Sequence, residues 1–248
     1  MAVVTGASRR IGIGAAIACR LAEIGWDVAT TYWRPYDERM PWGSAHGETA
    51  ALQEQLAGLG ARTLGIEADL SSPEVPDDVF AQVNGRLGPV GVLVMCQCDD
   101  VDAGIAETTV EDFDRCMAVN ARASWLLVRA FAAQFRGSHG TGRIIALTSD
   151  HTVGSLAYGA SKGALDRIVI AAASEFADMG ICANVINPGP TDTGWMDQPL
   201  LDQISEATLL GRVGNPEDCA NLVAFLCSDE GGWVNGQLLM SDGGRRTC

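Results

Sequence analysis

Short, almost wholly apolar runs alternate along the chain with longer segments that mix apolar and polar positions. The short runs lie at 1–5, 27–32, 61–68, 90–95, 143–149, 181–186 and 237–240, and their length and β-branched content fit buried strands. The segments at 15–23, 48–59, 75–87, 111–135, 158–179 and 216–227 fit helices. Regular alternation of this kind predicts an α/β fold, a doubly wound parallel sheet of about seven strands with helices on both faces and all strand carboxyl ends on one edge. Two stretches interrupt the pattern. Residues 35–47 form a turn-rich insertion that either shields a ligand or covers the surface, and residues 195–207 form a polar stretch, expected to be mobile, within a substrate-loop region at about 190–212. Asn120 breaks an apolar helical face, which fits a satisfied core polar group or a helix irregularity. No repeat, low-complexity tract or linker divides residues 1–248, so one domain is expected.

Apolar residues make up 47% of the chain and charged residues 19%, enough for a sizeable core and too apolar for disorder. Seventeen Lys and Arg against 31 Asp and Glu give a net charge of -14, which opposes nucleic acid and anionic membrane surfaces as partners. A local basic pocket is still compatible with that charge. The eight cysteines show no disulfide framework, and most read as small buried apolar residues. Cys96 and Cys98 stand close together, but His46, His139 and His151 are scattered, so no metal site is expected. With no leader segment or membrane-spanning apolar run, the expected location is cytoplasmic, with reduced thiols.

The first strand runs directly into Gly6, Gly12 and Gly14, and a helix follows. In that order, glycines let the backbone approach a phosphate while the helix N-terminus supplies free N–H groups and a positive dipole end. The plainer alternative is a tight turn with a glycine-lined packing contact. Ser8, Arg9, Arg10 and Ile13 share the loop. The arrangement is of Rossmann type, and in it the end of the second strand meets an adenosine ribose. Trp33 and Arg34 stand there, and an arginine suits a 2'-phosphate, so NADP(H) is favoured over NAD(H). Asp37 would instead suit a ribose diol, although Pro35 is expected to turn the chain before it. Further on, Tyr158 and Lys162 lie four apart, on one face of a helix. An ammonium beside a phenol is expected to lower its pKa and make an acid–base device. Taken alone, the same spacing also fits an ordinary surface or core pair.

A glycine-rich loop after the first strand, Asp69 after the third, then Asn120, Ser149, Tyr158, Lys162 and Pro188 with Gly189 follow one another in a fixed order. That set resembles the short-chain dehydrogenase/reductase family over essentially the whole chain. It resembles in particular the bacterial 3-oxoacyl-carrier-protein-reductase-like members and the ketoreductases of antibiotic and other natural-product biosynthesis. The resemblance implies that Tyr158 protonates a carbonyl oxygen as hydride arrives, or deprotonates an alcohol in reverse. Lys162 would assist it and hold the nicotinamide ribose, Ser149 would position the substrate oxygen, and Asn120 would hold a relay water. Asp69 and Leu70 would meet the adenine, Cys96 would border the cleft, and Pro188, Gly189, Thr191 and Thr193 would border the nicotinamide. Three features depart from the family pattern: a longer glycine loop, Met95, Cys96, Gln97 and Cys98 in place of Asn-Asn-Ala-Gly, and a shorter Ser149-to-Tyr158 loop expected to reshape the substrate pocket.

The resemblance thus implies an NADP(H)-dependent oxidoreductase acting on a small-molecule ketone or secondary alcohol. Asp150, His151, Trp195 and Met196 are candidate substrate contacts, and their mixture suits a compact polar ketone of sugar, cyclitol or nucleoside type. A 3-oxoacyl thioester on a carrier protein is the alternative substrate. A catalytically silent NADP-binding regulator is the alternative of another class, disfavoured because Tyr158 and Lys162 are both present. A homotetramer or homodimer built on the helices at 111–135 and 158–179 is also implied.

Overall fold

The structure, a computed structural model, describes residues 1–151 and 153–245; Cys248 lies outside them. Seven strands form one sheet in the order β3-β2-β1-β4-β5-β6-β7, every neighbouring pair parallel. They are β1 (Ala2–Val4), β2 (Val28–Tyr32), β3 (Thr63–Glu67), β4 (Val92–Met95), β5 (Gly142–Leu147), β6 (Ile181–Asn187) and β7 (Leu238–Met240). The central strands are apolar at successive positions because both sheet faces are covered: β1, β4 and β5 are buried throughout. On one face lie α1 (Ile13–Glu23), α3 (Glu48–Gly58) and α9 (Pro216–Leu226), whose Ile17, Leu21, Leu52, Leu56 and Val223 join Val4, Val94 and Ile145 in one core layer. On the other lie α4 (Val75–Arg86), α6 (Ala123–Gln134) and α7 (Leu156–Glu175), with Phe80, Leu127, Phe131 and Leu165 against Val3, Leu93 and Ile144. Phe131 is fully buried and meets Phe80 edge-on at 6.3 Å between centroids; truncating such a residue to alanine costs about 3–5 kcal/mol.

The strand order places β4 beside β1 and sends the chain outward in opposite directions from that pair. A crevice opens where the order reverses, at the carboxyl ends of the strands. No helix among the described residues is long and apolar enough to cross a membrane.

Three segments differ from their expected form. The polar stretch expected to be mobile contains α8 (Gln198–Ala207), capped by Asp197, whose Oδ1 accepts from the Leu200 amide at 3.0 Å. Only Ile204 of that helix is buried, so its sequence carries little apolar signal. The 35–47 insertion opens with α2 (Arg34–Arg39). Pro35 does not turn the chain away; it occupies the first turn of α2, where a missing amide proton is harmless. The expected helix over 111–135 is divided into α5 (Val110–Cys116), a wider π turn at Met117–Arg122 and α6. Asn120 sits in that turn, and Ser124 Oγ donates to its carbonyl oxygen at 2.7 Å, so the anticipated irregularity is there.

Candidate active site

The glycine loop is built for close approach. Gly6 has φ +68°, and a Cβ placed on it would lie 2.6 Å from the Gln97 nitrogen and 2.7 Å from the Cys96 carbonyl oxygen. A Cβ on Gly14 would lie 2.7 Å from the Gly6 oxygen, so this glycine lets α1 pack against the loop. The additional residues form a turn closed by the Gly12 amide donating to Arg9 O at 3.0 Å. Gly12 is the N-cap of α1 and offers no side-chain cap, leaving the first-turn amides available to an anion.

A cleft runs from this loop along the sheet edge. Gly6, Ser8, Arg9 and Gly12 form one wall, and Asp69, Leu70 and the β4 exit from Cys96 to Asp99 form another. Trp33, Tyr36, Asp37 and Trp42 close its outer side. The Asp69 carboxylate accepts from the Ser71 amide at 2.9 Å, which fixes the turn after β3. Asp37, expected to be carried away, is 4% exposed and accepts from Trp42 Nε1 at 3.0 Å. Burial raises its carboxyl pKa, with the hydrogen bonds from Trp42 and Ser8 opposing that rise.

Not every expected cofactor residue reaches the cleft wall. Arg34 faces Glu67 of β3 at 3.4 Å on the rim, both side chains well exposed. Arg10 is held towards α3, its amide donating to Glu48 Oε2 at 2.8 Å and its guanidinium to Gln55 at 3.2 Å. Ile13 opens α1, behind the loop. Pro188 and Gly189 follow β6, and the Asn187 side chain accepts from the Gly189 amide at 3.0 Å. Thr191 is buried and donates to Gly189 O at 3.2 Å, while Thr193 O accepts from Arg9 Nη2 at 2.9 Å. Trp195 is exposed and Met196 half-buried in the loop that follows.

Beyond Cys98 of the cleft wall, at the carboxyl edge of the sheet, Ser149 follows β5 and Tyr158 and Lys162 stand on one face of α7. Lys162 is buried, 5.6 Å from the Tyr158 ring centroid, and its Nζ donates to Leu147 O at 2.9 Å. The phenol is not lowered as expected. Burial pushes its pKa well above the ordinary tyrosine value, the Cys98 thiol adds to this, a hydrogen bond with Ser149 opposes it, and Asp100 and Asp150 raise it further. The ammonium is turned to a carbonyl and does not offset those effects. In this state Tyr158 holds its proton firmly and is a donor. Asn120 is fully buried: its Oδ1 accepts from the Asp99 amide at 2.8 Å, and its Nδ2 donates to Asp99 O and to Ser161 Oγ, each at 2.8 Å. It ties the β4 exit to α7. His151 is exposed, its amide donating to Ser149 Oγ at 3.1 Å, and Asp150 is exposed beside it.

The family model described as enoyl-(acyl carrier protein) reductase matches residues 6–246. The chain belongs to the short-chain dehydrogenase/reductase family. Among its relatives in that family is the uncharacterized oxidoreductase YjdA of Bacillus subtilis, 32% identical over 98% of this chain and 96% of its own length. A chloroplastic NADPH-dependent aldehyde reductase-like protein of Arabidopsis thaliana is 35% identical over 98% of this chain and 93% of its own. Of the solved structures, a short-chain dehydrogenase from Burkholderia cenocepacia in complex with NADP superposes with a TM-score of 0.87 at 32% identity, covering 98% of this chain and 96% of that one.

Two residues of the β4 exit shape this short-chain dehydrogenase/reductase site in ways the sequence did not assign: Gln97, marked there only as a departure from the family pattern, and Asp99. Gln97 takes up a buried chain of hydrogen bonds, accepting from Thr5 Oγ1 at 2.5 Å and donating to Ser124 Oγ at 2.9 Å. Asp99 is 4% exposed and pairs with two arginines, Arg39 at 2.6 Å and Arg115 at 3.1 Å. The one sequence signal was the acidic pair that ends the β4 run, Asp99 and Asp100, since charges are rarely buried unless paired.

Proposed function

We propose that this oxidoreductase moves hydride between NADP(H) and a compact polar ketone or the corresponding secondary alcohol. The observation that carries this is the placement of Tyr158, with Ser149 and Lys162, beside Cys98, which lines the glycine-cradled cleft and lies within electrostatic reach of both Tyr158 and Lys162. A bound nicotinamide supplies or accepts the hydride. Ser149 Oγ and the Tyr158 hydroxyl hold the substrate oxygen between them, and Tyr158 gives that oxygen its proton during reduction. Lys162, buried 5.6 Å from the Tyr158 ring centroid, can steady the charge left on the phenolate only by turning its Nζ from the Leu147 carbonyl that now holds it. Asn120 positions α7 against the β4 exit.

The cleft residues fit a dinucleotide: a glycine turn that admits no Cβ, an uncapped helix start, and Asp69 and Leu70 where an adenine would lie. The 2'-phosphate preference is supported by Arg9 in the cleft and Arg34 on its rim, and by the NADPH- and NADP-associated names of the relatives. Asp37 is the opposing feature, softened because burial raises its pKa.

Polarity of the substrate is supported by Asp100, whose buried Oδ1 has no hydrogen-bond partner among the described residues and which lies within the electrostatic reach of Tyr158. A hydroxyl or ammonium on the substrate would satisfy that oxygen. An acidic carrier protein delivering a 3-oxoacyl thioester would meet Asp100, Asp102 and Asp150 on a chain of net charge -14. Val110, Phe113 and Trp125, exposed along α5 and α6, support a homo-oligomer built on these helices.

Cofactor oxidation by the purified protein decides this, with NADPH and NADH tested separately on polar cyclic ketones and on 3-oxoacyl thioesters. Turnover of polar ketones with NADPH is expected, with Tyr158→Phe losing at least about a hundredfold in rate while still binding NADPH. Turnover that survives Tyr158→Phe would show that another acid serves the site. NADPH binding without turnover of either class would point to the regulator.

A further inference from the structure

We infer that Arg39 and Asp99 form a latch that holds the 34–42 segment across the nucleotide cleft, so that a bound dinucleotide exchanges only when this pair separates; the inference rests on the dinucleotide reading of the cleft. The segment leaves the end of β2, on the adenosine side, and α2 brings Arg39 to the exit of β4, on the nicotinamide side. There Arg39 Nη2 lies 2.6 Å from Asp99 Oδ2. On the way, Tyr36 and Trp42 line the cleft from its outer side. The segment therefore bridges the crevice in which the ligand must sit.

The two halves of the latch are held very differently. The Asp99 side chain is 6% exposed and the Arg39 side chain 44%. Asp99 cannot follow a moving segment. Its carboxylate is also held by Arg115 at 3.1 Å, its backbone amide and carbonyl are both bound by Asn120, and the Asn120 amide group reaches Ser161 on α7. Arg115 already neutralises the buried acid, so a second cation from a separate segment is not required to stabilise the charge. Arg39 is the mobile partner, and what it fixes is its own segment.

Little else fixes that segment. Asp37 is the one buried residue of α2, so no apolar face anchors the helix to the sheet. The remaining ties to the rest of the protein are polar or aromatic: Arg34 beside Glu67 at 3.4 Å with both side chains well exposed, Ser8 against Asp37, Cys98 against Tyr36, and Arg9 over Trp42 at 4.8 Å. A segment with few buried apolar contacts opens at low free-energy cost, and a single charge-assisted pair is then a large share of what keeps it closed. Arg39 is on these grounds a positioning residue for the cofactor.

The test is the rate at which bound NADPH leaves, followed by the change in its fluorescence on displacement with excess NADP+. Arg39→Ala is expected to release NADPH about tenfold faster, the ratio that loss of one such pair gives. Arg39→Lys, which keeps the charge but not the planar fork, is expected to fall between Arg39→Ala and the parent. The thermal unfolding midpoint is measured alongside, because a purely structural role would lower it and leave the release rate alone. An unchanged release rate in Arg39→Ala overturns the latch while the dinucleotide reading stands. Failure of the parent protein to bind NADPH at all would overturn the dinucleotide reading itself, and the latch with it.

Discussion

Gly6→Ala separates two consequences of the glycine loop that are usually inseparable. A Cβ at this position meets an unfavourable backbone conformation, φ +68°, and three backbone atoms of Cys96 and Gln97 at 2.6–2.7 Å. The left-handed conformation costs an alanine about 1–2 kcal/mol. Forcing a methyl group against backbone that cannot rotate away costs about 1–3 kcal/mol more. The expected destabilisation is therefore about 2–5 kcal/mol. Gly25→Ala is the control: Gly25 has φ +94°, but a Cβ there meets nothing within 4 Å, so only the conformational cost applies. Urea unfolding followed by circular dichroism gives both values, and their difference, about 1–3 kcal/mol, isolates the contact between the loop and the β4 exit. NADPH titration should show the same asymmetry, because only the Gly6 substitution displaces Cys96 and Gln97 in the cleft wall. Equal destabilisation of the two variants would refute the close approach.

Two further outcomes follow from the site. Arg9→Ala should weaken NADPH about tenfold more than NADH, as loss of a charge-assisted phosphate contact would; equal losses in paired titrations would remove Arg9 from the 2'-phosphate. For Tyr158, burial raises the phenol pKa, so the proton needed for ketone reduction is in place on the acidic side of that raised value and is lost only as pH rises through it. Reduction by the enzyme should accordingly be flat from about pH 6 to 9, while alcohol oxidation, which needs the phenolate, rises with pH over the same range. A fall in reduction across that window would mean that the phenol is lowered in the working complex.

The parts of this molecule legible in the sequence are those with a local signature. Buried parallel strands read as apolar runs, and Tyr158 with Lys162 read as one helix face, because both signals lie within a few residues. The wider turn around Asn120 was also marked, by one polar residue in an apolar face. What escaped depends on contacts between distant segments. Arg39 and Asp99 are 60 residues apart, and no periodicity links them. Pro35 illustrates a different failure: the same residue that stops a helix from within starts one at its first turn, and only the path of α2 shows which applies. In the same way Lys162 sits where its spacing predicts, yet its ammonium faces the Leu147 carbonyl, a choice made by the strand beside it.

One departure from the family pattern, the lengthened glycine loop, connects two other segments through one side chain. The lengthened glycine loop supplies the turn on which Arg9 stands, and Arg9 reaches two other segments: its guanidinium lies over Trp42 of the 35–47 insertion and donates to Thr193 O in the loop after β6. Without the longer turn, the insertion and the substrate-side loop would have no common anchor. Asp99, held between Arg39 and Arg115 and bound through its backbone to Asn120, joins Arg39 of the same insertion to the helix that carries Tyr158. The insertion is thus tied at Trp42 to the glycine loop and at Arg39, through Asp99 and Asn120, to the helix that carries Tyr158. A ligand that moves it must disturb contacts on both the phosphate side and the catalytic side, which is a physical route by which occupancy of the cofactor cleft sets the geometry of the substrate site.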